Sequence, residues 1–175
     1  MPTTVTPTLD DLFTALEAFL GTIVGTALVV QGIQNLVSTP ATGYVVMTEI
    51  LQKALATNTE TYQDTLTTTP GTRSVKRSTR VDIQLDFYGT SAADWAVMAS
   101  TLLRDPNGCD SLAPNCQPLY ATDARLIPFV NAEQQYEARY VVDAVLQYNP
   151  VVTVSQQFAD AVNVTLIEVD KTYPP

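Results

Sequence analysis

The chain has 175 residues, 46% of them hydrophobic, enough for one domain with one core. Nine Lys and Arg stand against 18 Asp and Glu, a net charge of −9, which argues against a nucleic-acid-binding footprint and fits ordinary solubility or a surface that nucleic acid passes without sticking. There is no histidine, so the usual general base, the Ser-His nucleophile pair and the commonest metal ligand are missing.

Residues 1–8 are polar and rich in Pro and Thr, with no basic stretch ahead of an apolar one, so no targeting signal is expected. Residues 8–20 predict a helix. Leu9, Leu12, Phe13, Leu16, Phe19 and Leu20 recur at the 3.6-residue period, Thr8 is placed to cap, Asp10 and Asp11 suit the first turn, and Gly21 is the expected stop. The apolar run from Leu20 to Val30 is broken by Gly21, Thr22, Gly25 and Thr26, too short and interrupted to span a bilayer, so a soluble protein is expected.

Residues 27–37 suggest a strand with Gly32 as a bulge or close approach, followed by a turn at Pro40 and Gly43. Tyr44 to Leu51 reads as a strand that runs on into a Thr-rich polar segment, and Pro70-Gly71 is a turn signal. Arg80 to Tyr88 is the cleanest strand: Val81, Ile83, Leu85 and Phe87 take one face, Asp82, Gln84, Asp86 and Tyr88 the other. Residues 44–88 thus predict one long hairpin with a buried base and a tip that is polar on both faces. Such a tip either lies in solvent or rests on a neighbouring copy.

Ser91 is expected to start a second helix, with Ser91 and Asp94 resembling a capping box, a stripe through Ala92, Trp95, Ala96, Ala99, Leu102 and Leu103, and Arg104 in the last turn. Trp95 reads as a core anchor. Residues 105–138, with five prolines and glycines, read as mostly irregular. Arg139 to Tyr148 predicts a strand with Tyr140, Val142, Ala144, Leu146 and Tyr148 on one face and a mixed opposite face. Val151 to Val154 extends or re-pairs it, Gln156 to Ala161 suggests a helical turn, and Val162 to Val169 a last strand. The fold class is α+β: a mostly antiparallel sheet, two main helices packed on one face and a long projecting β-hairpin. Residues 1–175 read as a single domain with a polar arm at 52–78.

Catalytic chemistry finds little support. There is no Gly-rich phosphate loop, nucleophile elbow, CxxC pair or HExxH. Asp82 and Asp86 share a strand face but stand roughly 13 Å apart, too far for a tight catalytic pair. Asp10 with Asp11, and Glu133 with Glu137, read as solvated or interface carboxylates. Cys109 and Cys116, in CDSLAPNC, could close a small disulfide loop, but two free thiols are the simpler reading in a reducing compartment. No cofactor or metal is expected. Arg73, Lys76, Arg77 and Arg80 form the one basic cluster. It suits pairing with an acidic surface on an adjacent copy, or a solvated hairpin end.

Five stretches carry a resemblance to a known family. They are TRVDIQLDFYGTSAADWAVMASTLLRD at 79–105, the run from Pro118 to Val152, QQFADAVNVTLIEVDKTYPP at 156–175, and VVQGIQNLV with GYVVMTEI in the first half. Together they resemble the phage neck or tail terminator family over most of residues 9–175, least at 52–78. The resemblance implies a non-enzymatic virion subunit, assembled in the host cytoplasm and placed in the tail or neck. It would form a ring, six-fold in expectation, that ends the tail tube and joins it to the head–tail connector while DNA passes through. Implied partners are further copies of itself, the tail tube protein, the head–tail connector or stopper protein and, in a contractile tail, the sheath terminus. DNA would be met only in passage and membrane not at all.

A closing head-to-tail contact between identical copies would give such a ring. Two segments are candidate interfaces. The first holds Phe129, Asn131, Glu133, Gln134, Gln135, Tyr136, Glu137 and Arg139, mixing aromatic and polar side chains as binding surfaces do. The second is the hairpin, with Tyr62 and the cluster Arg73, Lys76, Arg77 and Arg80. A head-completion, stopper or tube-end adaptor one layer away is the alternative. An enzyme or a ligand-binding module is the remote one.

Overall fold

A computed structural model describes residues 2–33, 43–67, 69–114, 116–130, 134, 136–159 and 164. In chain order its elements are β1 (Thr4–Thr6), α1 (Leu9–Val24), β2 (Leu28–Gln31), β3 (Tyr44–Ala54), β4 (Thr59–Gln63), β5 (Gly71–Lys76) and β6 (Thr79–Tyr88). Then come α2 (Ala92–Leu102), α3 (Pro106–Leu112), β7 (Gln117–Ala121), β8 (Arg125–Leu126), β9 (Phe129–Val130), β10 (Tyr136–Glu137), β11 (Arg139–Tyr148) and β12 (Val151–Gln156). The class is the expected α+β, in two larger sheets that are mostly antiparallel.

Helix α1 begins where the capping logic puts it. Thr8 Oγ1 accepts from the Asp11 backbone N–H at 3.1 Å, and the Asp11 carboxylate accepts from the Thr8 N–H at 2.7 Å. The Thr8 N–H first, and then the Thr8 hydroxyl, which also donates to the Asp11 carboxylate at 2.8 Å, hold the Asp11 carboxyl below its usual range. The helix does not stop at Gly21. The apolar stripe continues through Leu20 to buried Val24, and the chain turns at Gly25, whose φ of 63° favours glycine.

The six-stranded sheet runs β2-β3-β6-β11-β7, with β8 also on β11. The helices cover one face of it. Val81, Ile83, Leu85 and Phe87 of β6 are fully buried there, as are Val142, Ala144 and Leu146 of β11, against Leu12, Leu16 and Leu20 of α1. Trp95 is packed on this core, as expected, with its ring against Gly43. Alternation does not reveal strand direction, and β2 runs parallel to β3. The proposed turn at Pro40, the end of the 27–37 strand and the last strand at 162–169 lie outside the described residues, apart from an exposed Val164.

Several expectations change. Ser91 stands at the N-cap of α2, but its side chain makes no capping hydrogen bond. Arg104 lies past the helix end, where Nε donates to the Ala121 carbonyl at 2.7 Å and a terminal nitrogen meets Asp123 at 2.9 Å. The segment read as irregular contains α3. Asp105 caps it by accepting from the Asn107 N–H, and Pro106 fills the first position, where a missing N–H costs nothing. Both cysteines are free: Cys109 lies within α3, while Cys116 is buried, which pushes its thiol up to about 11. Gln156 ends β12, and no helical turn follows among residues 157–159.

Residues 44–88 form the predicted hairpin, turning within 64–70. β3 pairs β6 through a bulge at Ile50, and β4 pairs β5 beyond it. Its second strand has a long partner. β11 lies on β6 and β12 on β5 in a single unbroken register, so residues 71–88 face 139–156 from end to end. The Arg77 N–H donates to the Pro150 carbonyl at 3.0 Å and bridges the gap between the two ladders. At about 3.3 Å per residue this ribbon is roughly 60 Å long. The second strand of the hairpin's outer half is thus supported within the copy, β5 by β12 and β12 by β1, while β4 is paired on one side only among the described residues.

Candidate functional site

The far half of that ribbon is a four-stranded sheet, ordered β1-β12-β5-β4. None of its residues belongs to the buried core cluster. Directly opposed residues in antiparallel strands point to the same side, so the pairings assign its two faces. On one face Val5, Val152, Val75 and Glu60 form a row, and Val154, Arg73 and Tyr62 the next. On the other, Thr4, Thr153, Ser74 and Thr61 form a row. It is flanked by Ser155, Thr72 and Gln63 on one side and by Thr6, Val151, Lys76 and Thr59 on the other. Ser74 and Thr153 share a hydroxyl–hydroxyl hydrogen bond of 3.3 Å across this face.

The expected basic cluster is divided by this geometry. Alternation along residues 71–80 puts Arg73 and Arg77 on one side, Lys76 and Arg80 on the other. Arg73 lies 4.0 Å from the Glu60 carboxylate, with its Nε buried and without a hydrogen-bond partner. Tyr62 donates its hydroxyl to Glu60, a bond that leads the upward shift of its phenol, and its ring meets Phe158 edge to face at 6.4 Å. Arg80 is paired to Asp82 at 2.6 Å. Lys76 and Arg77 are exposed.

Along β11 the opposite end carries the other candidate segment. β9 and β10 form a two-stranded ribbon in which Tyr136 opposes Val130 and Glu137 opposes Phe129. Tyr136 is 85% exposed, and Val130 opposite it and Leu126 in β8 are more than half exposed. Gln134 is exposed with a φ of 58°. Asn131, Glu133 and Gln135 lie outside the described residues. Arg139, at the root of the ribbon, turns to the face of the large sheet opposite the helices. It donates to Asp86 at 2.9 and 3.1 Å and lies over the Tyr88 ring. Tyr88 stacks on Tyr44 with ring centroids 4.5 Å apart.

Sequence reasoning missed β1 and the pairing role of β12, hence the small sheet as a unit. Its signals, the alternations TVT and VVTVSQ, are present but short and mark no buried face. Among the described residues no three His, Cys, Asp or Glu side chains gather as a metal ligand set, and no described helix is long and apolar enough to cross a membrane.

A family model described as phage neck terminator protein matches residues 10–170. No curated protein matches the chain.

Proposed function

The chain belongs to the phage neck terminator protein family, a family of structural virion proteins, and from that premise we propose that it closes into a ring that ends the tail tube and receives the head–tail connector. The observation that carries this reading is the four-stranded sheet. It adds nothing to the core and, among the described residues, ends in two edges, β1 and β4, each paired on one side only. β1 runs in the same direction as β5 and opposite to β4. The β1 edge of one copy therefore meets the β4 edge of the next as an antiparallel pair. The contact is head to tail, and with a rotation that divides the full turn it closes into a ring. The two edges are short, three and five residues, which limits indiscriminate edge pairing.

DNA passes through the hole of this ring. The β9–β10 ribbon, at the other end of β11, serves the axial contact with an adjoining layer, the tube or the connector. Its exposed tyrosine and aliphatic side chains are the composition that anchors such contacts.

The test is a pair of cysteines, Thr6→Cys in β1 and Thr61→Cys in β4, in the full chain. Oxidation should give a ladder of covalently linked copies ending at the ring number, and tails assembled without the chain should exceed normal length. A chain that stays monomeric at all concentrations, with no intermolecular bond, ends the reading.

A further inference from the structure

The two faces of the small sheet differ in chemistry more than a solvated sheet requires. One places valines in a row with Arg73, Tyr62 and Glu60 alongside. The other is dominated by Thr and Ser, holds no carboxylate in a chain of net charge −9, and has Lys76 as its one charged residue.

We propose that the hydroxyl face is the wall that meets duplex DNA, with Lys76 its one phosphate contact per copy. The inference rests on the ring reading above and adds which side of the sheet lines the hole. Duplex DNA presents a dense array of phosphates. Carboxylates on the wall would repel it, and a carpet of Lys and Arg would grip it, because each neutralised phosphate adds to affinity through counterion release. A hydroxyl wall does neither. It offers short-lived hydrogen bonds to water or phosphate oxygens without fixed charge, while the valine face is better kept from water. Lys76 flanked by Thr59 and Val151 adds one weak hold per copy, and the ring multiplies it into a collar that slows the duplex without arresting it.

A photo-crosslinking residue placed at Thr61 or at Ser155, and separately at Val154, in the full chain within DNA-filled particles tests the assignment. DNA adducts from Thr61 and Ser155 with protein adducts from Val154 are expected. DNA adducts from Val154 alone, or from none of the three in particles that contain the chain at normal copy number, overturn it. Absence of the chain from particles would instead strike the ring reading. For the collar, Lys76→Gln should flatten the salt dependence of duplex binding by purified rings, by roughly 0.9 in log–log slope for each phosphate that is no longer neutralised. Arg73→Gln, on the valine face, should leave it unchanged. An unchanged slope with Lys76→Gln removes Lys76 from the proposal.

Discussion

Arg139 and Asp86 meet on the face of the large sheet opposite the helices, the guanidinium donating twice to one carboxylate oxygen at 2.9 and 3.1 Å while the Asp86 side chain is only 6% exposed. Gln84 donates to both oxygens of the same carboxylate. Three polar side chains thus satisfy one another on a face no helix covers, and Val141, beside them on β11, is 1% exposed. The pair ties β6 to β11 near the root of the β9–β10 ribbon.

Arg139→Ala should therefore cost more than its own exposure suggests, because it leaves a buried carboxylate with Gln84 as its remaining partner. A loss of about 2–4 kcal/mol is expected in urea unfolding. Asp86→Asn, which keeps the shape and an acceptor, should cost less. The double variant should be less destabilised than the sum of the two.

The same face sets an alkaline limit. Burial first, then the neighbouring Tyr88 and Glu137, push the Tyr44 phenol up to about 12, against the opposing pull of Arg139. Unfolded tyrosine titrates near 10. Above that pH the unfolded chain gives up a proton that the folded chain retains, so stability is intact below about pH 10 and falls as pH rises toward about 12, by at most about 2–3 kcal/mol for this group. Unfolding midpoints measured across that window should fall, and Tyr44→Phe should flatten the slope. Burial also raises Tyr88, so a residual slope should remain until Tyr88→Phe is added.

Elements with one buried face were legible in the sequence. β6 alternates because helices cover one side of the sheet, and β11 alternates too although its other face is mixed and buries Val141; the faces assigned to Val81 through Phe87 and to Val142 through Tyr148 are those found. The small sheet was not legible as a sheet. It buries no core residue, and its cross-strand partners lie far apart in the chain, Ser74 against Thr153 among them. The polar hairpin tip therefore read as unsupported. Alternation also put Asp82 and Asp86 on one face without showing that each has its own arginine, Arg80 and Arg139. α3 was hidden by its Pro and Gly content, although Asp105-Pro106 is a capping signal.

Glycine positions give a paired prediction. Gly89 has a φ of 103°, and a Cβ there would lie 2.6 Å from the Gly43 Cα, backbone that cannot swing aside. Gly89→Ala should lose about 2–4 kcal/mol through strain and overlap together. Gly21, inside α1 with nothing within 4 Å of an added Cβ, should respond in the opposite sense. Gly21→Ala should gain about 0.5–1 kcal/mol through helix propensity and a less free unfolded chain. Thermal unfolding of the two variants beside the parent reads both signs.

Tyr136 separates assembly from stability. Its side chain is 85% exposed on a ribbon away from both the core and the small sheet, so Tyr136→Ala should leave unfolding within about 0.5 kcal/mol of the parent and leave the cysteine-linked ring ladder intact. If the ribbon serves the axial contact, the same variant should assemble rings that attach poorly to the adjoining layer. Counting unattached tails and heads by electron microscopy, in particles complemented with the variant, reads this directly. Normal joining with Tyr136→Ala would remove the tyrosine from the contact. Loss of the ring itself would move the ribbon to the contact between copies, because an exposed side chain that adds nothing to the fold can break a ring only by touching the next subunit.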